Sequence, residues 1–278
     1  MLARARPVLA ALSSLARAAL DLIVPPPEPC ALCRGPLSAD TDLCVCTACL
    51  DKLGRIDGAR CARCGRAVAC GKARRTRLCR PCAAAPPALD AGRAYGVYDG
   101  YMRAVIHGLK YRGDLLAARG LGELMAWLAC VDPRFGTARA VVPVPLHPRR
   151  LRERGYNQAA ELARVVGEEL GLPVVEAVAR VRETQPQSSL SWSQRRRNTA
   201  RAFQAVAPGA VRGRDVIVVD DIYTTGATAS AVAVSLKRAG ARRVYGLFAA
   251  ASSLTRDLIP EGTGGIRGEK RHEPATNG

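Results

Sequence analysis

Apolar and polar positions along this chain follow two periods, and the switches between them mark its elements. Val216 to Val219 are apolar without a polar break, which suits a strand buried on both faces of a parallel sheet. After Thr228 the apolar residues Val232, Ala233, Leu236 and Ala239 recur at helical spacing. Lys237 and Arg238 occupy the last turn, and Gly240 is placed to cap it. A second apolar strand runs from Val244 to Ala250. Upstream, the same reading predicts a strand at 94–98, helices at 101–111 and 114–129, a buried strand at 140–144, a helix at 157–170 closed by Gly171, and a strand at 174–181. Alternating strands and helices predict an α/β domain, a parallel sheet with helices on both faces. Residues 182–201 are polar and aperiodic; inside one compact domain such a segment is a lid or binding loop.

The two ends read differently. Val8, Leu12, Leu15, Ala19 and Leu22 fall at helical spacing before Pro25-Pro26-Pro27, so residues 1–24 are expected to form an amphipathic helix packed on the rest of the protein. Ser13, Ser14 and Arg17 interrupt its apolar run, which argues against a signal peptide. No apolar run is long enough to predict a membrane span. Residues 256–278 are rich in glycine and charge and are expected to be disordered.

Candidate chemistry begins where the first apolar strand stops. Asp220 and Asp221 stand at its carboxyl end, where open α/β sheets place ligands. Thr224, Thr225, Gly226, Ala227 and Thr228 follow. They are small enough for backbone N–H groups at a helix start to face an anion, with threonine hydroxyls beside them. A phosphate belongs in that loop. The two carboxylates would repel it, so they should address paired hydroxyls, a metal, or both. A sugar phosphate offers both features.

The cysteines form a second pattern. Of eleven, ten lie between Cys30 and Cys82, and eight of these make four Cys-x-x-Cys pairs. That grouping points to metal in a reducing compartment, and so to a cytoplasmic protein, rather than to disulfides. Taken in order, Cys30, Cys33, Cys46 and Cys49 make one Zn²⁺ site, and Cys61, Cys64, Cys79 and Cys82 another. Residues 25–85 thus read as a double zinc ribbon with few bulky apolar side chains, dependent on metal to fold. Cys44 competes with Cys46 for the first site, Cys70 lies inside the second ribbon, and Cys130 reads as core. Pro86-Pro87 marks the boundary to a domain over 86–255.

Charge adds a partner class. Lys and Arg number 42 against 24 Asp and Glu, a net +18, which favours polyanions such as nucleic acid or phosphorylated sugars. Arg149, Arg150, Arg152 and Arg154 follow the strand ending Val142-Pro143-Val144-Pro145, and such guanidinium groups can grip pyrophosphate. Arg182, with Arg195, Arg196 and Arg197 in the aperiodic segment, could fold over a bound anion, or remain a solvated basic loop. Lys110, Tyr111 and Arg112 put cations beside an aromatic ring that could stack a base. Aromatic residues make up only 4% of the chain, which argues against an extended base-stacking platform.

The string Val218-Val219-Asp220-Asp221-Ile222-Tyr223-Thr224-Thr225-Gly226-Ala227-Thr228 resembles the 5-phosphoribosyl 1-diphosphate (PRPP) signature of the type I phosphoribosyltransferases. Four cysteine knuckles ahead of such a domain resemble the ComF family of competence-associated proteins. So do the segments LKYRGD and VPVPLHPRRLRERGYNQ, and the spacing of Arg182, Thr184, Gln187, Leu190, Arg195 and Asn198. The resemblance implies a type I phosphoribosyltransferase-like fold and PRPP bound with Mg²⁺. It implies ribose hydroxyls on Asp220 and Asp221, the 5′-phosphate on Thr224 to Thr228, and a link to the handling of incoming DNA. Two functions follow as expectations. One is transfer of phosphoribosyl to an unidentified acceptor. The other is a non-catalytic module that binds nucleotide or single-stranded DNA for the uptake or DNA-processing proteins.

Overall fold

A computed structural model describes residues 28–38, 41–68, 78–182 and 202–253. The amphipathic helix expected at 1–24, most of the aperiodic segment with Arg195, Cys70 and the tail at 256–278 lie outside the described residues.

The elements follow the order that the apolar periods predict. Helices α1 (Thr47–Lys52) and α2 (Arg80–Ala84) lie in the cysteine-rich part. Then come β1 (Ala91–Val97), α3 (Gly100–Tyr111), α4 (Leu115–Cys130), a 3-10 turn (Pro133–Thr137) and β2 (Ala138–Pro143). These are followed by α5 (Pro148–Arg154), α6 (Gln158–Leu170), β3 (Val178–Arg180), β4 (Phe203–Ala205), α7 (Pro208–Val211), β5 (Asp215–Tyr223), α8 (Ala227–Arg238) and β6 (Arg243–Ala251). Short polar side chains start the helices: Asp99 accepts from Gly100 N, Asp114 from Ala117 N and Asn157 from Ala159 N, each satisfying an amide that the helix cannot.

The four main strands form one parallel sheet in the order β1-β6-β5-β2. Ile217 and Val219 face a core built with α3, α4 and α6, whereas Val216 and Val218 face a core built with α8. Both faces are covered, which is why β5 carries an apolar run and not an alternation. Cys130, read as core, is instead exposed at the last position of α4. One expected element also differs. The stretch 174–181 is not a single strand: Val174 makes one parallel bridge to Val141 at the sheet edge, and Val178–Arg180 then pairs antiparallel with β4 in a separate two-stranded sheet. The chain leaves the edge of the main sheet after Val175 N–H reaches Val141 O, so the apolar run serves two sheets in turn.

The cysteine-rich part is not an appendage. Cys30, Cys44, Val45, Cys49 and Leu53 are buried in the core with Met102, Ile106, Leu121 and Leu124. Cys61, Cys64, Cys79 and Cys82 are buried in the other core, with Leu89, Tyr223 and Phe248. Between them, Ile56 N–H bonds to Tyr95 O (2.9 Å) and Val97 N–H to Gly54 O (3.1 Å), so the linking segment crosses the exposed edge of β1. The two cysteine groups therefore grip opposite faces of one sheet, and their crossing segment covers an edge that would otherwise present unpaired backbone groups. Gly65 makes the close approach possible: its φ is +75°, and a Cβ there would sit 2.4 Å from Gly92 O.

Candidate ligand site and metal centres

Strand β5 delivers the acidic pair and the threonine loop together. Tyr223 ends the strand, Thr224 and Thr225 make the turn, and Gly226 is the N-cap of α8 in the left-handed region, φ +75°. A glycine brings no capping side chain, so the first turn of α8 keeps amides directed outward, with the positive end of the helix dipole behind them. Thr225 Oγ1 accepts from Ala227 N at 3.3 Å, which tightens the turn. Thr224 is exposed, Thr225 and Thr228 are half-buried, and Gly226 and Ala227 are buried. Ser252 N–H holds the loop's base by bonding to Tyr223 O at 3.0 Å.

The two carboxylates are not equivalent. Both lie within β5 rather than beyond its end, and Asp221 N–H bonds to Asp220 Oδ1 at 2.9 Å. Asp221 is buried and forms an ion pair with Lys110 from the last turn of α3, Nζ to Oδ2 2.8 Å, without a well-directed hydrogen bond to that oxygen. Asp220 is only half-covered. Loss of hydration and the neighbouring Asp221 charge raise its pKa, while Lys110 pulls the other way. Asp220 is thus the more accessible of the two carboxylates.

Beyond Lys110 a pocket of about 520 Å³ opens, lined by Lys110, Tyr111, Gly113, Arg150, Glu153, Arg154 and Tyr156. Arg154 lies over the Tyr111 ring, 5.2 Å to its centroid, and Tyr156 donates its hydroxyl hydrogen to Leu109 O. The cations come from two helices that start or end at the carboxyl edge of the sheet. Arg150 and Arg154 line this one pocket together. Arg149 turns to Glu153 at 2.9 Å, and Arg182 is exposed two residues after the end of β3.

Each cysteine group brings four sulfurs within 4.8 Å of one another: Cys30, Cys33, Cys46 and Cys49, and Cys61, Cys64, Cys79 and Cys82. Four thiols at that spacing can hold a tetrahedral metal. Backbone amides already point at sulfur: Cys46 N–H to Cys30 Sγ and Cys79 N–H to Cys61 Sγ, both 3.3 Å. Burial opposes ionisation of Cys30, but the Cys33 and Cys46 amides bring its pKa down to about 6. Hydrogen bonds from Cys64, Cys79 and Cys82 pull Cys61 down, whereas hydrogen bonding to Cys61 pushes Cys64 and Cys82 up, so Cys61 is the thiol of the second group that favours the thiolate most. Cys44 is buried elsewhere; loss of hydration and Glu123 push its thiol up. That settles the competition between neighbours: Cys46, and not Cys44, faces the first centre.

Two contacts at the site carry no signal in the sequence. The pairing of Lys110 with Asp221 joins helices and strands more than a hundred positions apart. Arg66 and Tyr223 meet across the second cysteine group, with the Arg66 guanidinium 5.0 Å from the Tyr223 ring centroid.

A parallel sheet covered on both faces, an acidic pair on a central strand, and a Thr-Thr-Gly turn opening a helix define the class. It is a type I phosphoribosyltransferase-like α/β protein, here joined to two cysteine tetrads. No family model matches the chain. It is 33% identical over 224 residues to DNA utilization protein YhgH of Escherichia coli, covering 78% of this chain and 94% of that protein. It is 32% identical over 177 residues to Competence protein F of Haemophilus influenzae (61% of this chain, 77% of that one). With Competence protein ComFC of Streptococcus pneumoniae the identity is 28% over 209 residues (75% and 88%). Among solved structures, glutamine PRPP amidotransferase from Bacillus subtilis, complexed with ADP and GMP, aligns at 22% identity and TM-score 0.33, covering 48% of this chain and 26% of that one. An allosteric regulatory enzyme of purine biosynthesis aligns at 23% identity and TM-score 0.33, covering 49% and 26%. The chain belongs to the ComF family of competence and DNA-utilization proteins.

Proposed function

We propose that the protein binds PRPP or a related phosphoribosyl compound together with Mg²⁺. In this reading residues 25–85 are a double zinc ribbon and 86–255 the ligand-binding domain. The observation that carries it is the glycine-started first turn of α8 at Gly226 beside the half-buried Asp220: an anion site and a hydroxyl or cation site a few residues apart on one strand–helix turn. The 5′-phosphate sits on the amides of the first turn and on Thr224, Thr225 and Thr228. Asp220 takes the ribose hydroxyls, and Asp221, held by Lys110, supports it from below. Mg²⁺ when bound would supply positive charge between ribose and pyrophosphate, with Asp220 as its protein ligand. Arg150 and Arg154 provide guanidinium groups for the pyrophosphate side.

If the domain is an enzyme, the ribose C1–O bond to pyrophosphate breaks and a bond from C1 to the acceptor's nucleophile forms. The protein's work would then be positioning and charge stabilisation. A second reading, a non-catalytic module for nucleotide or single-stranded DNA, is favoured by the basic pocket with Tyr111 in its wall and by the net charge of +18. The names of the relatives agree with a role near DNA.

Titration calorimetry with PRPP and Mg²⁺ tests the ligand. Asp220→Asn should lower affinity about tenfold, as expected for losing a hydrogen bond to a charged group. Equal binding by wild type and Asp220→Asn would remove the ribose assignment. No binding of any phosphoribosyl compound by the wild type would leave the module reading. Pyrophosphate release with a panel of acceptors separates the two functions.

A further inference from the structure

The second cysteine tetrad lies directly against the threonine loop. Cys64, Cys79, Cys82, Pro81 and Arg66 form one wall of a narrow cleft, and Tyr223, Thr225, Gly226 and Ser230 form the other. The void between them is about 10 Å³, no more than one water's worth of room. The two walls are therefore packed on each other, and whatever passes between them passes by contact.

Arg66 is the link. It is 6% exposed, and among the described residues its Nε has no hydrogen-bond partner and its side chain no carboxylate at ion-pair distance. A buried cation in that situation needs negative charge nearby. The tetrad would supply it once loaded, because four thiolates around one Zn²⁺ would leave the centre negative. The Arg66 backbone is already part of the knuckle, its N–H directed at Cys64 sulfur and its C=O accepting from Cys61 N at 2.8 Å. Its guanidinium then covers one face of Tyr223, while Phe248 packs on the ring at 4.9 Å. The far end of Tyr223 presses on the loop: a Cβ added to Gly226 would lie 2.1 Å from the hydroxyl oxygen. A second tie runs beside it, Ala88 N–H to Ser230 Oγ at 3.0 Å, onto the first turn of α8.

We propose that Arg66 is a positioning residue that couples metal at Cys61, Cys64, Cys79 and Cys82 to the threonine loop. With metal bound, the negative centre holds the guanidinium, the guanidinium holds Tyr223, and Tyr223 holds Gly226 in the left-handed turn that aims the α8 amides. Without metal, or without Arg66, Tyr223 loses its cover and the turn loosens. The coupling deepens the reading of that loop as a phosphate site, since its consequence is a ligand site that works only when the second centre is loaded. Among the described residues the first tetrad, on the opposite face of the sheet, has no such path.

Hydrogen–deuterium exchange of the full-length, zinc-loaded protein tests this together with elemental analysis. In Arg66→Ala with two zincs retained, amides at 224–228 should exchange about tenfold faster, the size of one cation–π contact, while α6 stays as in wild type. PRPP affinity should fall by a similar factor. Unchanged exchange at 224–228 would overturn the proposal, as would an equal rise throughout the chain. If Arg66→Ala loses a zinc, Arg66→Lys decides, because it keeps the charge beside the metal without the planar group over the ring. Two zincs with a faster loop support the coupling, and two zincs with wild-type exchange refute it. A wild type that binds no PRPP removes the phosphoribosyl reading, and the exchange data still decide the coupling.

Discussion

Asp221→Asn should destabilise the fold, and Asp220→Asn should not. Asp221 and Lys110 face each other at 2.8 Å with side chains 5% and 19% exposed, so neither charge is well hydrated. Removing one partner leaves the other buried and unpaired. Fully buried pairs broken in this way lose about 3–5 kcal/mol, and single hydrogen bonds to a charged group about 1.5–3. Lys110 retains some contact with water, so about 2–3 kcal/mol is the expected loss. For a chain of this size that lowers the thermal midpoint by roughly 4–12 °C. The assay is thermal unfolding of zinc-loaded protein at neutral pH without Mg²⁺. Lys110→Met combined with Asp221→Asn leaves no unpaired charge and should recover part of the loss, which a double-mutant cycle reads as a coupling energy. Asp220 behaves oppositely. Its pKa is raised in the folded protein, so folding is favoured below the ordinary carboxylate range and that contribution is lost as pH rises through the raised value. Asp220→Asn should remove this fall in stability with pH and leave the midpoint near neutral pH unchanged or higher. Equal shifts for the two single variants, or strict additivity of Lys110→Met and Asp221→Asn, would refute the assignment of one carboxylate to structure and the other to ligand.

Cys46→Ser should reduce the zinc content from two per chain, whereas Cys44→Ser should leave it unchanged by elemental analysis; the reverse result would misplace the first centre. Gly226→Val should abolish PRPP and phosphate binding, since a Cβ there collides with Tyr223 and φ +75° is strained for a branched residue; calorimetry showing wild-type affinity would mean the loop does not hold the ligand. Binding to single-stranded DNA should weaken steeply with salt, and joint substitution of Arg195, Arg196 and Arg197 should flatten that slope; affinity independent of salt would argue against backbone contact.

Short-range chemistry was legible in the sequence. Cys-x-x-Cys spacing brings two sulfurs to one metal whatever the rest of the chain does. The run Val216 to Val219 needs cover on two faces, and small residues after a strand allow amides to turn outward. These signals lie within a few residues, so local geometry carries them. What only the tertiary structure decided lies between distant segments. Helical period places Lys110 at the end of α3 but does not say that it meets Asp221. Cys-x-x-Cys spacing favours Cys46 over Cys44 but leaves Cys44 two residues away as a competitor; burial against Glu123 removes Cys44, and the turn into α1 delivers Cys46. The cysteine ribbons read as a module without a core of their own. Packed across the edge of β1 they acquire two, one on each face of the sheet, and the second brings Arg66 to Tyr223. A contact between residues more than 150 positions apart leaves no period to read, because it depends on how two already folded surfaces fit.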